Sequence, residues 1–164
     1  MKYIGILFAV ALISFVSCNQ HTDNTQALQA QIDSLQTRLQ QSYKPGLGEF
    51  MSGIQVHHNK LWFAGINNNW KLADFELSEI KETLEDIQKY NTDRKEVPSI
   101  SMLSGPIDEV NKAIQGKDEA QFKAGFMLLT NTCNTCHHAN HFEFNVIKIP
   151  DAPPFTNQNF KPEK

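Results

Sequence analysis

Residues 118–138 read DEAQFKAGFMLLTNTCNTCHH, and they carry the clearest structural signal in the chain. Asp118 is a favoured helix N-cap, and Gln121 stands three residues on, where a capping box needs it. Phe122, Phe126, Leu129, Cys133 and Cys136 follow at intervals of three and four. That spacing places them on one face of a helix running to about His138.

Three more helices are expected upstream. The first runs from about Leu47 to Ala64, with Leu47, Met51, Ile54, His58 and Leu61 on one stripe, and Gly65 and Asn67-Asn68-Asn69 end it. The second takes Asn69 as N-cap and continues to about Tyr90 on the stripe Ala73, Leu77, Ile80, Leu84 and Ile87. Asn91 to Ser104 reads as a polar loop punctuated by Pro98. A shorter helix follows from Pro106, uses Ile107, Val110 and Ile114, and stops at Gly116. Four amphipathic helices with short connections predict an all-α fold, an antiparallel four-helix bundle over residues 45–141. The tail, 142–164, holds Pro150, Pro153, Pro154 and Pro162 and cannot form a long helix. Only Phe144 to Ile149 offers a short candidate strand.

The region before the bundle divides in two. Lys2 precedes a charge-free apolar run from Ile4 to Val16, too short to span a bilayer as a helix. Residues 1–17 therefore read as a secretion signal. Phe15-Val16-Ser17-Cys18 resembles a bacterial lipoprotein cleavage box, which implies lipidation of Cys18 and a stable anchor at a membrane surface. Residues 18–44 then form a membrane-proximal stalk. Within 25–41, Leu28, Ile32, Leu35 and Leu39 are spaced 4, 3 and 4, a short coiled-coil-like seam. It would either pair copies of the chain into a homo-oligomer or lie as a lone helix. Lys44-Pro45-Gly46 breaks it.

Composition narrows the partners. The 164 residues are 20% charged and 40% hydrophobic, as in a globular domain. Removing residues 1–17 leaves 14 basic against 18 acidic residues, a net charge of −4 with no dense Lys/Arg patch. Nucleic acid is thus not an expected partner.

Cys133-Asn134-Thr135-Cys136-His137 has the C-x-x-C-H spacing of covalent haem attachment. On a helix both sulfurs fall on nearly the same side, within reach of two vinyl groups of one porphyrin, and the next imidazole addresses the iron. The three cysteines of the chain are then fully assigned, one to lipid and two to haem c. A zinc site would need a fourth ligand from His138 or His141. A thioredoxin-like motif would need a βαβ context, which is absent.

A single C-x-x-C-H near the end of a fourth helix resembles cytochrome c prime and its low-spin relatives. The resemblance covers about residues 45–141. It implies a haem inside the bundle, His137 as proximal iron ligand, and a first-helix residue on the distal side, where Met51 lies at a suitable depth. The chain departs from that pattern at Ala139-Asn140-His141, where a tyrosine–arginine pair often stands, and in its proline-rich extension.

The sixth iron position divides the functional readings. Met51 as ligand would give a low-spin, relatively high-potential electron carrier serving redox partner proteins. Met51 as core packing would leave a five-coordinate haem open to a small gas such as NO or CO. His57 and His58 are rival ligands. His58 lies two turns from Met51, so the two would not face one iron together. Trp62, Phe63, Trp70, Phe75, Phe122 and Phe126 suffice to line a haem pocket, though each alone reads as core. No acid/base constellation marks an enzyme. The expected protein is an exported, lipid-anchored mono-haem electron carrier facing the periplasm or cell exterior.

Overall fold

The computed structural model describes residues 24–39 and 45–163, all helical or irregular, with no strand among them. The secretion signal and Cys18 lie outside the described residues. The chain divides into two units, Met1–Lys44 and Pro45–Lys164. In the first, residues 24–39 form helix α1. Leu28, Ile32, Leu35 and Leu39 are all exposed along it.

The second unit contains α2 (Leu47–Ile66), α3 (Trp70–Tyr90), a 3-10 helix (Val97–Leu103), α4 (Ser104–Gly116) and α5 (Glu119–Ala139). Helix α2 packs along α3 and α4 along α5, while α3 also meets α4 and α2 meets α5. This ring of neighbours is compatible with a helical bundle.

Three helix ends explain the tight connections. Asn68, Lys117 and His141 each adopt positive φ, at 60°, 53° and 65°. After each, the next amide reaches back five residues, as Asn69 to Ala64, Asp118 to Ala113 and Phe142 to His137. These are Schellman terminations, which satisfy otherwise orphaned carbonyls. Asn69 and Asp118 immediately cap the next helix, accepting from the amides of Leu72 and Gln121. The side chain of Gln121 returns to the Asp118 carboxylate rather than to its amide. Helix α4 stops at Gly116, as expected, and Lys117 after it takes the left-handed position.

The expected loop at Asn91–Ser104 is corrected by the 3-10 helix, which runs straight into α4 two residues before Pro106. Pro98 stands in its first turn, where a missing amide proton costs nothing. Ile100 and Leu103, three apart and so eclipsed, both point into the core. The candidate strand at Phe144–Ile149 is absent, and its backbone pairs with a side chain instead.

Leu61, Ala64, Leu77, Ile80, Ile87, Val110, Phe122 and Phe126 are among the buried core residues. Phe122 and Phe126 anchor an aromatic cluster with Trp62 and Trp70, with ring centroids 5.0–6.3 Å apart. Gly65 admits this cluster rather than terminating α2. A Cβ on Gly65 would stand 2.1 Å from the Phe122 ring. Gly65→Ala should therefore lower unfolding free energy by about 3 kcal/mol, as overpacking against a fully buried ring does. Urea titration of the variant beside the parent measures it.

Candidate cofactor site

The apolar stripes of α2 and α5 change character along their length. Leu61 on α2 and Phe122, Phe126 and Leu129 on α5 are buried, whereas Leu47, Met51, Ile54 and Cys133 are only partly buried. The space between these partly buried side chains holds two adjoining cavities of about 160 and 170 Å³. Met51, Ile100, Cys136, His137 and Asn145 line both. The first cavity also reaches Ile54, His58, Leu103 and Cys133. The second reaches Leu47, Arg94, Glu96 and Phe142. Gly48, three residues before Met51, lines both, and a Cβ there would meet nothing within 4 Å.

The two cysteines sit one turn apart and both face the first cavity. Burial pushes the Cys133 thiol up to about 11, with the neighbouring Cys136 adding to the effect. Burial also raises Cys136, against a hydrogen bond from Asn140. Both side chains are protonated thiols at neutral pH. That state does not suit a reactive thiolate. Among the described residues no group of three or more His, Cys, Asp or Glu is placed to hold a metal ion, so the zinc alternative lacks its ligands. His138 and His141 are both exposed.

His137 has a fixed tautomer. Its Nδ1 lies 2.6 Å from the backbone oxygen of Asn145. A carbonyl only accepts, so Nδ1 carries a proton, and in the neutral ring the lone pair lies on Nε2. The ring is thereby held through Nδ1 at the cavity wall.

The rival distal residues occupy different surroundings. Met51 opens on both cavities. His58 lines the first cavity but is 4% exposed, and its Nε2 is 2.9 Å from Thr130 Oγ1. The Thr130 hydroxyl donates its single proton to the Phe126 carbonyl, so it accepts from His58 Nε2–H. His58 also lies against the Phe126 ring, centroid to centroid 4.4 Å. His57 faces elsewhere. Its Nδ1 is 2.7 Å from Glu76 Oε2, and Lys60 Nζ is 3.6 Å from Glu76 Oε1. Glu76 is fully buried on α3, and its two partners on α2 compensate a charge that would otherwise be costly there.

Of the six aromatics numerous enough to line a pocket, most take the core role that each alone suggests. Trp62, Trp70, Phe122 and Phe126 form the core floor, Phe63 packs on Phe160 at 5.7 Å, and Phe75 is exposed. Phe142 is the aromatic at the second cavity.

Sequence reasoning missed several residues of the site. Arg94 Nη2 donates to Glu96 Oε1 at 2.9 Å, while Glu96 Oε2 is buried without a donor. Their loop position carried no periodic signal. Asn145, two residues before Ile147, was missed because a backbone carbonyl leaves no trace in side-chain identity. The tail that supplies them crosses from α5 to α2. Asn59 Nδ2 donates to Ala152 O at 3.3 Å, and Phe160 is buried against the far end of α2.

Comparison with family models, curated proteins and solved structures yields no match to the chain.

The buried imidazole of His58 makes stability depend on pH. Burial lowers its pKa from 6.5 to about 4, because a charged ring is poorly solvated there. The unfolded chain therefore binds a proton at a pH where the folded chain does not. Stability is unaffected above about pH 6.5 and falls as pH drops towards 4, by about 3 kcal/mol across that window. Urea titrations at stepped pH should show this slope in the parent and its disappearance in His58→Leu.

Proposed function

We propose that residues 45–141 form an antiparallel four-helix haem domain similar to cytochrome c prime and its low-spin relatives, and that the protein carries single electrons. The observation that carries this reading is the convergence of Cys133, Cys136, His137 and Met51 on one apolar space between α2 and α5. The donor set fits a haem. Two protonated thiols one helical turn apart suit thioether bonds to its edge, and an imidazole with a free Nε2 suits its iron. Gly48 leaves room beside Met51.

When bound, the haem supplies one-electron chemistry at iron. The chain supplies everything around it. His137 Nε2 would be the proximal donor, with the Asn145 carbonyl on Nδ1 keeping the ring oriented and electron-rich. Met51 Sδ would hold the other side of the iron, where a thioether favours the reduced metal. Ile54, Ile100 and Leu103 exclude water from this space. His58, neutral and tied to Thr130, fills the wall beside Met51 without taking part.

The sequence of residues 1–17 and Cys18 supports export and lipid anchoring, so that the domain would serve redox partner proteins from a membrane surface. No described helix is long and apolar enough to cross a membrane. The exposed seam of α1 supports a stalk that pairs copies of the chain.

A second reading, a five-coordinate haem that binds a small gas, draws on a further cavity of about 410 Å³ that shares Gln55, His58 and Ile147 with the first. It would admit a diatomic ligand if Met51 stood aside.

Met51→Ala separates the two. If Met51 ligates, the variant converts low-spin haem to high-spin, lowers the potential and binds CO, whereas the parent binds CO slowly. If Met51 only packs, the variant loses about 2–5 kcal/mol of stability with an unchanged spectrum. A high-spin parent that takes CO at once would favour the gas reading. A bis-histidine spectrum would contradict both readings.

A further inference from the structure

We propose that Asn134, the second residue of the C-x-x-C-H stretch, is a positioning residue that sets the donor strength of His137 through the C-terminal tail; this rests on the haem reading above. Asn134 makes two bonds to one residue of the tail. Its Nδ2 donates to the Ile147 carbonyl at 2.8 Å, and its Oδ1 accepts from the Ile147 amide at 2.8 Å. The side-chain amide thus stands in for a peptide group and grips the tail backbone on both sides.

Asn134 and His137 are three apart on α5 and share a face. Asn145, whose carbonyl binds His137 Nδ1, lies two residues before Ile147. The hold on Ile147 therefore fixes the position of the Asn145 carbonyl. At its other end the same short segment leaves α5 through the Schellman turn, where the Phe142 amide bonds the His137 carbonyl at 2.8 Å. Residues 143–146 are exposed and bury nothing of their own. Phe144 and Val146 are 79% and 68% exposed. With no burial to hold the segment, three things keep the Asn145 oxygen on the ring: the Asn134 amide, the turn at His141, and the Asn145 amide donating to the Phe142 carbonyl at 2.9 Å.

The consequence is electronic as well as steric. A carbonyl on Nδ1–H makes Nε2 a stronger donor and favours ferric iron over ferrous. Loosening the tail should weaken that donor and raise the potential. A merely structural role for Asn134 would free the tail and leave the iron unchanged.

The test uses the haem-loaded protein with Asn134→Ala and the near-isosteric Asn134→Leu, both compatible with a helix and both lacking the amide. Three quantities are read: covalent haem content, exchange of the His137 Nδ1 proton by NMR in the reduced state, and midpoint potential. Haem content should match the parent, because Cys133, Cys136 and His137 are intact. Nδ1 exchange should quicken about tenfold or more, the factor set by losing a hydrogen bond of ordinary net strength. The potential should rise. Phe160→Leu, which loosens the tail only at its far end, should leave exchange and potential at parental values. Parental exchange and potential in both Asn134 variants, with or without a protease-sensitive tail, would overturn the proposal. So would a lowered potential. A parent without covalent haem is a different failure, that of the haem reading itself.

Discussion

The wedge of Phe122 and Phe126 between α2 and α5 governs the rest of this unit. Both rings are fully buried, and Phe122 occupies the space that Gly65 leaves free of a side chain. Burying each contributes about 1.5–3 kcal/mol, and the contacts with Trp62 and Trp70 add to that. Because the wedge closes the helices at this end, the stripes continue beyond it into a gap rather than a packed core. That gap is where Met51 and the two cysteines face one another. A cavity at that place is a consequence of where the large side chains stop.

The chain spends polar groups sparingly around the gap, and apart from the donor-free Glu96 Oε2 those named here have defined partners. Thr130 passes its proton to the Phe126 carbonyl and receives that of His58. Asn140 caps α5 and donates to Cys136 O at 2.8 Å, so the helix end that carries the motif is held as well as the motif itself. The Asn145 carbonyl decides the tautomer of His137. Glu76, with His57 and Lys60, forms a separate buried cluster on the α2–α3 side. That cluster removes His57 from the gap and leaves Met51 and His58 as the α2 side chains of interest.

Much of this was legible in the sequence, for identifiable reasons. Helix stripes of three and four spacing are long-range signals, and Asn69 and Asp118 are caps whose side chains act locally. The helix ends at Gly116 and near Gly65 were legible, but the left-handed positions fall on Asn68 and Lys117, and Gly65 also serves packing. The 3-10 helix was hidden because Pro98 and the serines look like loop while Ile100 and Leu103 supply too short a pattern. Within the candidate site, Cys133, Cys136 and His137 were marked by spacing. Asn134, Asn145 and Glu96 act through backbone contacts and burial, which no spacing rule records. The aromatics were countable but not placeable, since type alone does not distinguish a floor from a wall.

The role of every residue around the gap depends on whether one haem is bonded to this chain through two sulfurs. The direct measurement is mass spectrometry of the peptide spanning residues 133–137, from protein produced in a host that attaches haem to exported chains. The account predicts that this peptide carries the mass of one haem, retained after denaturation and acid–acetone extraction, and that Cys133→Ser with Cys136→Ser abolishes it. A peptide with both thiols free and haem wholly extractable would contradict it.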